Sequence, residues 1–256
     1  MGKFTDFLKT AGEVLNSLTG HRKKLFTSAV IVAGGSSLRM GGDVTKQMML
    51  VNSLPVVVHT LLSFEKTEEI SEIIVVAKED EIPLYDGFAK KYGITKLKST
   101  VKGGGTRQES ALCGFNAISP KADFVAIHDA ARCLVTSEDI TRVLREAEKY
   151  GAASASTSVV DTVKIVNKNG FVVRTEDRAT VKLAQTPQVF KRNLYCAAAY
   201  TARDEGFEAT DDNMLIERID FPVKLVECSA DNIKITHPSD IEKAERILNN
   251  RKKENP

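Results

Sequence analysis

No C-x-x-C pair and no zinc-type spacing with histidine joins the four cysteines, Cys113, Cys133, Cys196 and Cys228. They read as reduced thiols, most of them buried, in a reducing, cytoplasmic compartment. His21, His59 and His237 likewise show no metal-ligand spacing. An apolar run of about eighteen residues is missing, so no membrane-spanning helix is expected. A secretory n-region, h-region and cleavage site are absent, and Asp6 stands where a myristoylation signal needs Ser or Thr. Charge of one sign is lacking too. The 36 Lys and Arg nearly cancel the 34 Asp and Glu, leaving +2, which gives no case for nucleic-acid binding. Any positive field must be local.

What is present suits a globular protein. The 256 residues, 42% hydrophobic and 27% charged, fit one large α/β domain or two small ones and need no disulfide or metal staple. Residues 1–24 form a separable extension, with Phe4, Phe7, Leu8, Ala11, Leu15 and Leu18 at helical spacing before Gly20 and a basic link. Such a helix docks on its own domain or a partner subunit, or adsorbs to a membrane surface. From Phe26, short apolar runs alternate with amphipathic ones. Strands are expected at 28–33, 73–77, 94–101, 124–128, 152–159 and 223–228. Helices are expected at 55–64, between the second and third strands, and at 108–117, 138–150, 192–203 and 239–249. This βαβ rhythm predicts a single-domain, Rossmann-like three-layer α/β sandwich, its twisted sheet mostly parallel and covered on both faces. The rhythm breaks at 162–166 and 171–175, a β-hairpin with Asn169-Gly170 at its turn. A hairpin has no slot in a parallel sheet, so it is expected to project as an arm of about residues 160–180 from a domain spanning 25–250. Residues 251–256 read as a frayed tail.

The stretch 33–47, A-G-G-S-S-L-R-M-G-G-D-V-T-K-Q, leaves the first strand at its carboxyl end, where open α/β sheets bind ligands. Its small residues let backbone N–H groups approach a polyphosphate, and Arg39 and Lys46 add two cations suited to charge developing at a phosphorus. Neither G-x-x-x-x-G-K-[ST] nor G-x-G-x-x-G fits. Taken alone, the stretch is equally a flexible turn with solvated charges. G-G-G-T-R-Q-E-S at 103–110, H-D-A-A-R at 128–132 and D-N-I-K-I-T at 231–236 add glycines, an aspartate and cations at strand ends that should share one edge.

The ordered set of these motifs, with D-T-V-K at 161–164, T-P-Q-x-F at 186–190 and T-D-D at 210–212, resembles a known family. It is that of the 2-C-methyl-D-erythritol 4-phosphate cytidylyltransferases of the non-mevalonate isoprenoid pathway, over roughly residues 28–248. The resemblance implies transfer of CMP from CTP to a methylerythritol phosphate with release of pyrophosphate. Ribitol-5-phosphate cytidylyltransferase is the alternative, since several motifs are shared; a non-catalytic nucleotide-binding protein and a nicotinamide dehydrogenase are rivals from other classes. The resemblance further implies that Arg39 and Lys46 stabilise the α-phosphate, and that Ala33, Gly34, Gly35, Gly104 and Ser110 hold the cytidine. Asp129 would lie beside a Mg²⁺–triphosphate with Arg132 nearby. Thr162, Arg178 and Lys234 would position the sugar-alcohol phosphate, and the arm would make a homodimer that delivers Thr162 and Arg178 to the neighbouring site. The chain departs from the family at Ser37, at Thr45 and Cys133 (both usually proline) and at Gly105.

Other residues carry plainer readings beside functional ones. His128 is a structural hydrogen-bonding residue or a general base; the attacking phosphate oxygen is already anionic and needs no base. Asp211 and Asp212 read as carboxylates in a helix's first turn or as substrate contacts. Asp231 is a candidate second metal-facing carboxylate.

Overall fold

The computed structural model describes residues 24–34 and 45–254. The expected helix before residue 24, together with Gly35, Ser37 and Arg39, lies outside them. Strand β1 (Thr27–Val32) lies inside the sheet, flanked in parallel by β4 (Ile70–Ala77) and β6 (Phe124–Asp129). β5 (Leu97–Lys102) lies outside β4. On the other side β10 (Lys182–Lys191) runs antiparallel between β6 and β7 (Ala152–Ser158), and β11 (Lys224–Glu227) closes the edge parallel to β7. The order β11-β7-β10-β6-β1-β4-β5 makes one seven-stranded, mostly parallel sheet.

Side chains alternate across that sheet. Ala29, Ile31, Ile73 and Val75 face a core closed by α1 (Val56–Lys66), α2 (Ile82–Tyr92) and α4 (Ser137–Tyr150). Val30, Ile74, Val76, Val125 and Ile127 face a second core under α3 (Arg107–Asn116), α5 (Arg192–Asp204) and α6 (Asp212–Arg218). Strands buried on both faces read as near-continuous apolar runs, which is why β1, β4 and β6 were legible. Among the described residues no helix is long and apolar enough to cross a membrane. Two cysteines, Cys133 and Cys228, are buried; Cys113 and Cys196 are half-buried, and all four are free thiols.

The differences from expectation have physical causes. β10 carries no apolar periodicity of its own, and Pro187 argues against a strand. The ladder to β7 shifts register between Ala184 and Gln188, so the proline sits where pairing is already broken. Helix α7 (Ser239–Glu254) outruns its expected end at 249, and the segment expected to fray is helical to Glu254 because Arg251 donates to the Leu134 carbonyl at 2.8 Å. Pro55 belongs not to α1 but to a two-residue hairpin of β2 (Leu50–Val51) and β3 (Leu54–Pro55) that leads into it. The arm forms a separate two-stranded sheet, β8 (Lys164–Val166) with β9 (Val172–Thr175). At its tip only Gly170 takes positive φ (+84°); the Asn167 carboxamide oxygen accepts from the Asn169 and Phe171 amides and shapes the turn instead.

Helix α3 lies very close to the sheet. A Cβ on Gly114 would come within 2.6 Å of Val76 Cγ2 and nearer still to Val30. Gly114→Ala is therefore expected to overpack this contact and lower stability by about 1–3 kcal/mol. An unchanged urea midpoint would contradict that packing.

Candidate active site

Chain direction sets the location. From β1 the chain builds outward through β4 and β5, then returns to the other side of β1 with β6, so strand order reverses between β1 and β6. Loops leaving those carboxyl ends diverge and open a crevice at the switch point. Its lining includes Val32, Gly34, Lys46, Gln47, Lys78, Gly104, Gly105, Thr106, Arg107, Ser110, Asp129, Ala131 and Lys234. The structure thus brings together Gly34, Lys46, Gly104, Ser110, Asp129 and Lys234 as the sequence suggested. Ala33 is buried just behind, its carbonyl accepting from the Gln47 carboxamide.

The glycine loop before α3 is folded on itself. Thr106 caps the helix in a reciprocal box with Glu109. Glu109 Oε2 accepts from the Gly105 amide at 2.6 Å and the Thr106 amide at 3.1 Å, while Ser110 Oγ accepts from the Gly104 amide at 3.2 Å. A Cβ on Gly104 would strike Glu109, so glycine is required by the loop's own packing. Its amides being spent internally, the loop offers the cleft a bare backbone surface suited to close approach of a flat base.

Asp129 ends β6 as the floor of the cleft. Lys234 Nζ lies 2.7 Å from Oδ2 and Arg107 Nε 3.0 Å from Oδ1, with Arg132 Nε at 3.8 Å. Burial by itself would raise this carboxyl, but Arg107 and Lys234 hold it well below the usual carboxylate range. Lys234 arrives because its segment is strapped to the strand end: Ile235 N–H donates to the Ala131 carbonyl at 2.8 Å, and Arg132 donates to the Asn232 carbonyl at 2.8 Å. Asn232, fully buried, donates to Gln185 and to the Thr186 carbonyl. Among the described residues, Lys46, Lys78, Arg107 and Lys234 line the crevice with Asp129, and Arg132 lies 3.8 Å from that carboxylate. A near-neutral chain has gathered its positive field here.

Arg107 and Asp212 carry roles the sequence did not disclose. Asp211 does cap α6, accepting from the Met214 amide at 3.0 Å. Asp212 is instead buried, accepting from Arg107 at 2.7 Å and the Tyr195 hydroxyl at 3.0 Å. Arg107 thus spans two carboxylates that are 22 and 105 residues from it in the chain; the only local sign was an arginine opening the helix after a glycine loop. Asp231 is not brought to the cleft: its carboxylate approaches Arg251 at 3.7 Å. Thr162 and Arg178 stay on the arm, exposed and outside the cleft lining, with Arg178 donating to the Val160 carbonyl at 3.0 Å.

His128 is fully buried and serves the site from behind. The Asp129 amide donates to Thr186 Oγ1 at 3.1 Å, whose hydroxyl donates to His128 Nδ1 at 3.0 Å. The imidazole proton therefore sits on Nε2 and donates to the Arg132 carbonyl at 3.2 Å. Burial lowers the His128 pKa to about 3, so it stays neutral, and the structural reading holds.

A crevice at the switch point of a parallel sheet, lined by bare glycine backbone and a ring of cations about one ionised aspartate, is the site of a nucleotidyl-transferring α/β enzyme. The 2-C-methyl-D-erythritol 4-phosphate cytidylyltransferase (IspD) family model matches residues 27–250, and the chain belongs to that family. It is 41% identical over 221 residues to the enzyme of that name from Syntrophus aciditrophicus, covering 86% of this chain and 94% of the relative. The Bacillus cereus enzyme of the same name is 41% identical over 226 residues, covering 88% and 98%. Among solved structures, 4-diphosphocytidyl-2C-methyl-D-erythritol synthase from Anaerococcus prevotii superposes with a TM-score of 0.80 at 32% identity, covering 88% of this chain and 97% of that one. The Thermus thermophilus cytidylyltransferase gives 0.70 at 30%, covering 86% and 98%.

His128 makes stability depend on pH in a defined direction. Between pH about 3 and 6.5 the unfolded state binds a proton that the folded state refuses, so stability falls as pH drops through that window. The slope from one such group approaches about 1.4 kcal/mol per pH unit, and His59, also pulled down by burial, adds in the same sense. Urea unfolding between pH 5 and 6 should show a clearly shallower pH dependence in His128→Asn than in the unaltered protein. Equal slopes would mean that His128 is not held neutral.

Proposed function

We propose that the cleft joins CTP to 2-C-methyl-D-erythritol 4-phosphate by in-line attack of the substrate's phosphate oxygen on the α-phosphorus. Pyrophosphate leaves and 4-diphosphocytidyl-2-C-methyl-D-erythritol remains. The observation that carries this reading is the ring of Lys46, Lys78, Arg107 and Lys234 that lines one crevice with the backbone of Gly34 and Gly104. Negative charge grows on the non-bridging and leaving oxygens as the bond to pyrophosphate breaks. Preorganised cations are what stabilise it. In this scheme Lys46 and Arg39 act at the α-phosphate, Gly34, Gly35, Gly104 and Ser110 shape the cytidine subsite, and Lys234 serves the methylerythritol phosphate. The attacking oxygen is ionised at neutral pH, so His128, neutral and closed off from solvent, moves no proton.

Asp129 would hold a Mg²⁺ that accompanies the triphosphate, since such ions need only one or two protein carboxylates. Among the described residues there is no cluster of three His, Cys, Asp or Glu that would make a protein-only metal cage. When bound, Mg²⁺ offsets the charge of the triphosphate. The protein's own part is to hold Asp129 ionised, which Arg107 and Lys234 do.

The same reading makes the enzyme a cytoplasmic homodimer. The arm exposes Val160, Phe171, Val172 and Val173 at 82%, 70%, 58% and 62%, an apolar surface that a lone soluble chain rarely presents. A second copy covering it would bring Thr162 and Arg178 to the neighbouring cleft, reciprocally across a two-fold axis.

Lys46→Ala and Arg39→Ala are each expected to lower kcat about 10²–10³-fold in a pyrophosphate-release assay with CTP, the loss typical of one transition-state donor. Turnover near that of the unaltered enzyme in either would show that another group stabilises the α-phosphate. Equal turnover with ribitol 5-phosphate would remove the methylerythritol subsite. For the arm, inactive Lys46→Ala and Arg178→Ala subunits are mixed and allowed to exchange. Roughly a quarter of sites should recover if Arg178 acts across the dimer. No recovery, with exchange confirmed, would place Arg178 in its own subunit's site.

A further inference from the structure

Lys46 sits in a tight turn that is anchored at both of its ends. The Met48 amide donates to the Thr45 carbonyl at 2.9 Å, placing Lys46 and Gln47 at the two central positions. On one side the Gln47 carboxamide donates to the Ala33 carbonyl, and the Ala33 amide donates to the Val76 carbonyl at 2.7 Å. That end is fixed to β1 and β4. On the other side the Thr45 hydroxyl donates to Glu81 Oε1 at 2.7 Å. Glu81 closes a 3₁₀ turn (Glu79–Glu81) that follows β4 and is continuous with α2, so this end too is fixed to the sheet.

Glu81 is an expensive residue for packing alone. It is only 7% exposed, and among the described residues its Oε2 has no hydrogen-bond partner. The Tyr85 hydroxyl, one helical turn on and fully buried, has none either. Burial and the neighbouring Glu81 charge push that phenol above its ordinary value, so it remains protonated. A buried carboxylate held by a single hydroxyl costs more than an apolar side chain of the same shape. The Thr45 contact is the benefit that offsets it.

We infer that Glu81 is a positioning residue for Lys46, acting through the Thr45 hydroxyl to hold the Thr45–Met48 turn with its lysine toward the cleft. This rests on the reading that Lys46 stabilises the α-phosphate in the transition state. A loop free to drift by about 1 Å loses that stabilisation without losing substrate binding, so the effect falls on kcat.

The test uses the full-length enzyme and steady-state kinetics with CTP, with thermal midpoints measured in parallel. Thr45→Val and Glu81→Met, each of which removes one partner of the tie, are expected to lower kcat about 10-fold while KM for CTP stays within about twofold. Thr45→Ser, which keeps the hydroxyl, should keep kcat. The Thr45→Val/Glu81→Met double variant should be no slower than the slower single one, because both remove the same tie. Unchanged kcat in Thr45→Val, or additive losses in the double variant, would overturn the inference. So would a fall in thermal midpoint with kcat per folded molecule unchanged. Lys46→Ala separates the two levels. If it loses turnover while Thr45→Val does not, only the positioning role fails; if it keeps turnover, the reading beneath fails as well.

Discussion

Arg107 has one guanidinium and two carboxylates to satisfy, and the cleft depends on how it divides itself. Its Nε reaches Asp129 and an Nη reaches Asp212, which in turn accepts from Tyr195. A planar, always-charged fork presents its donors in two fixed directions at once, which suits it to bridge the pair. Asp129 remains ionised at the foot of the cleft because that fork and Lys234 close on it. The charge that faces a nucleotide is therefore set by a residue on α6, whose own carboxylate never reaches the cleft.

The arrangement requires that α3, β6 and α6 be held to within fractions of an ångström. Gly114 lets α3 settle against Val30 and Val76, fixing where Arg107 emerges. The Thr106–Glu109 box fixes the first turn of that helix. Gln188 Oε1 accepts from the Asp212 and Asn213 amides, tying α6 to β10. The chain through Thr186 and His128 ties the ends of β6 and β10 together. The ion pairs are thus the visible result of backbone positions decided elsewhere.

Periodicity is a local property, and the elements that were legible are those whose environment is written locally. β1, β4 and β6 are buried on both sides and appear as apolar runs. α4 shows its buried stripe through Ile140, Val143, Leu144 and Ala147, with Thr136 as its cap. The hairpin announced itself by Asn169-Gly170, although Asn167 turned out to organise the tip. β10 was hidden because its residues are chosen for several neighbours at once: Gln185 for Asn232, Thr186 for His128, Gln188 for α6. No period survives such demands.

The sequence by itself determined the layered α/β class and the strand ends at which small residues and cations collect, Lys46 among them. These follow from residue type and spacing along one segment, whereas the parts expected of Asp129 and Lys234 came only from the family resemblance. Only the tertiary structure decided which charges meet. It sent Asp231 to Arg251 instead of the cleft, buried Asp212 under Arg107, and placed Glu81 behind the turn that carries Lys46. Those pairings join segments tens to about a hundred residues apart, and a carboxylate's partner over that distance is fixed by how the sheet orders its strands, which no local pattern records.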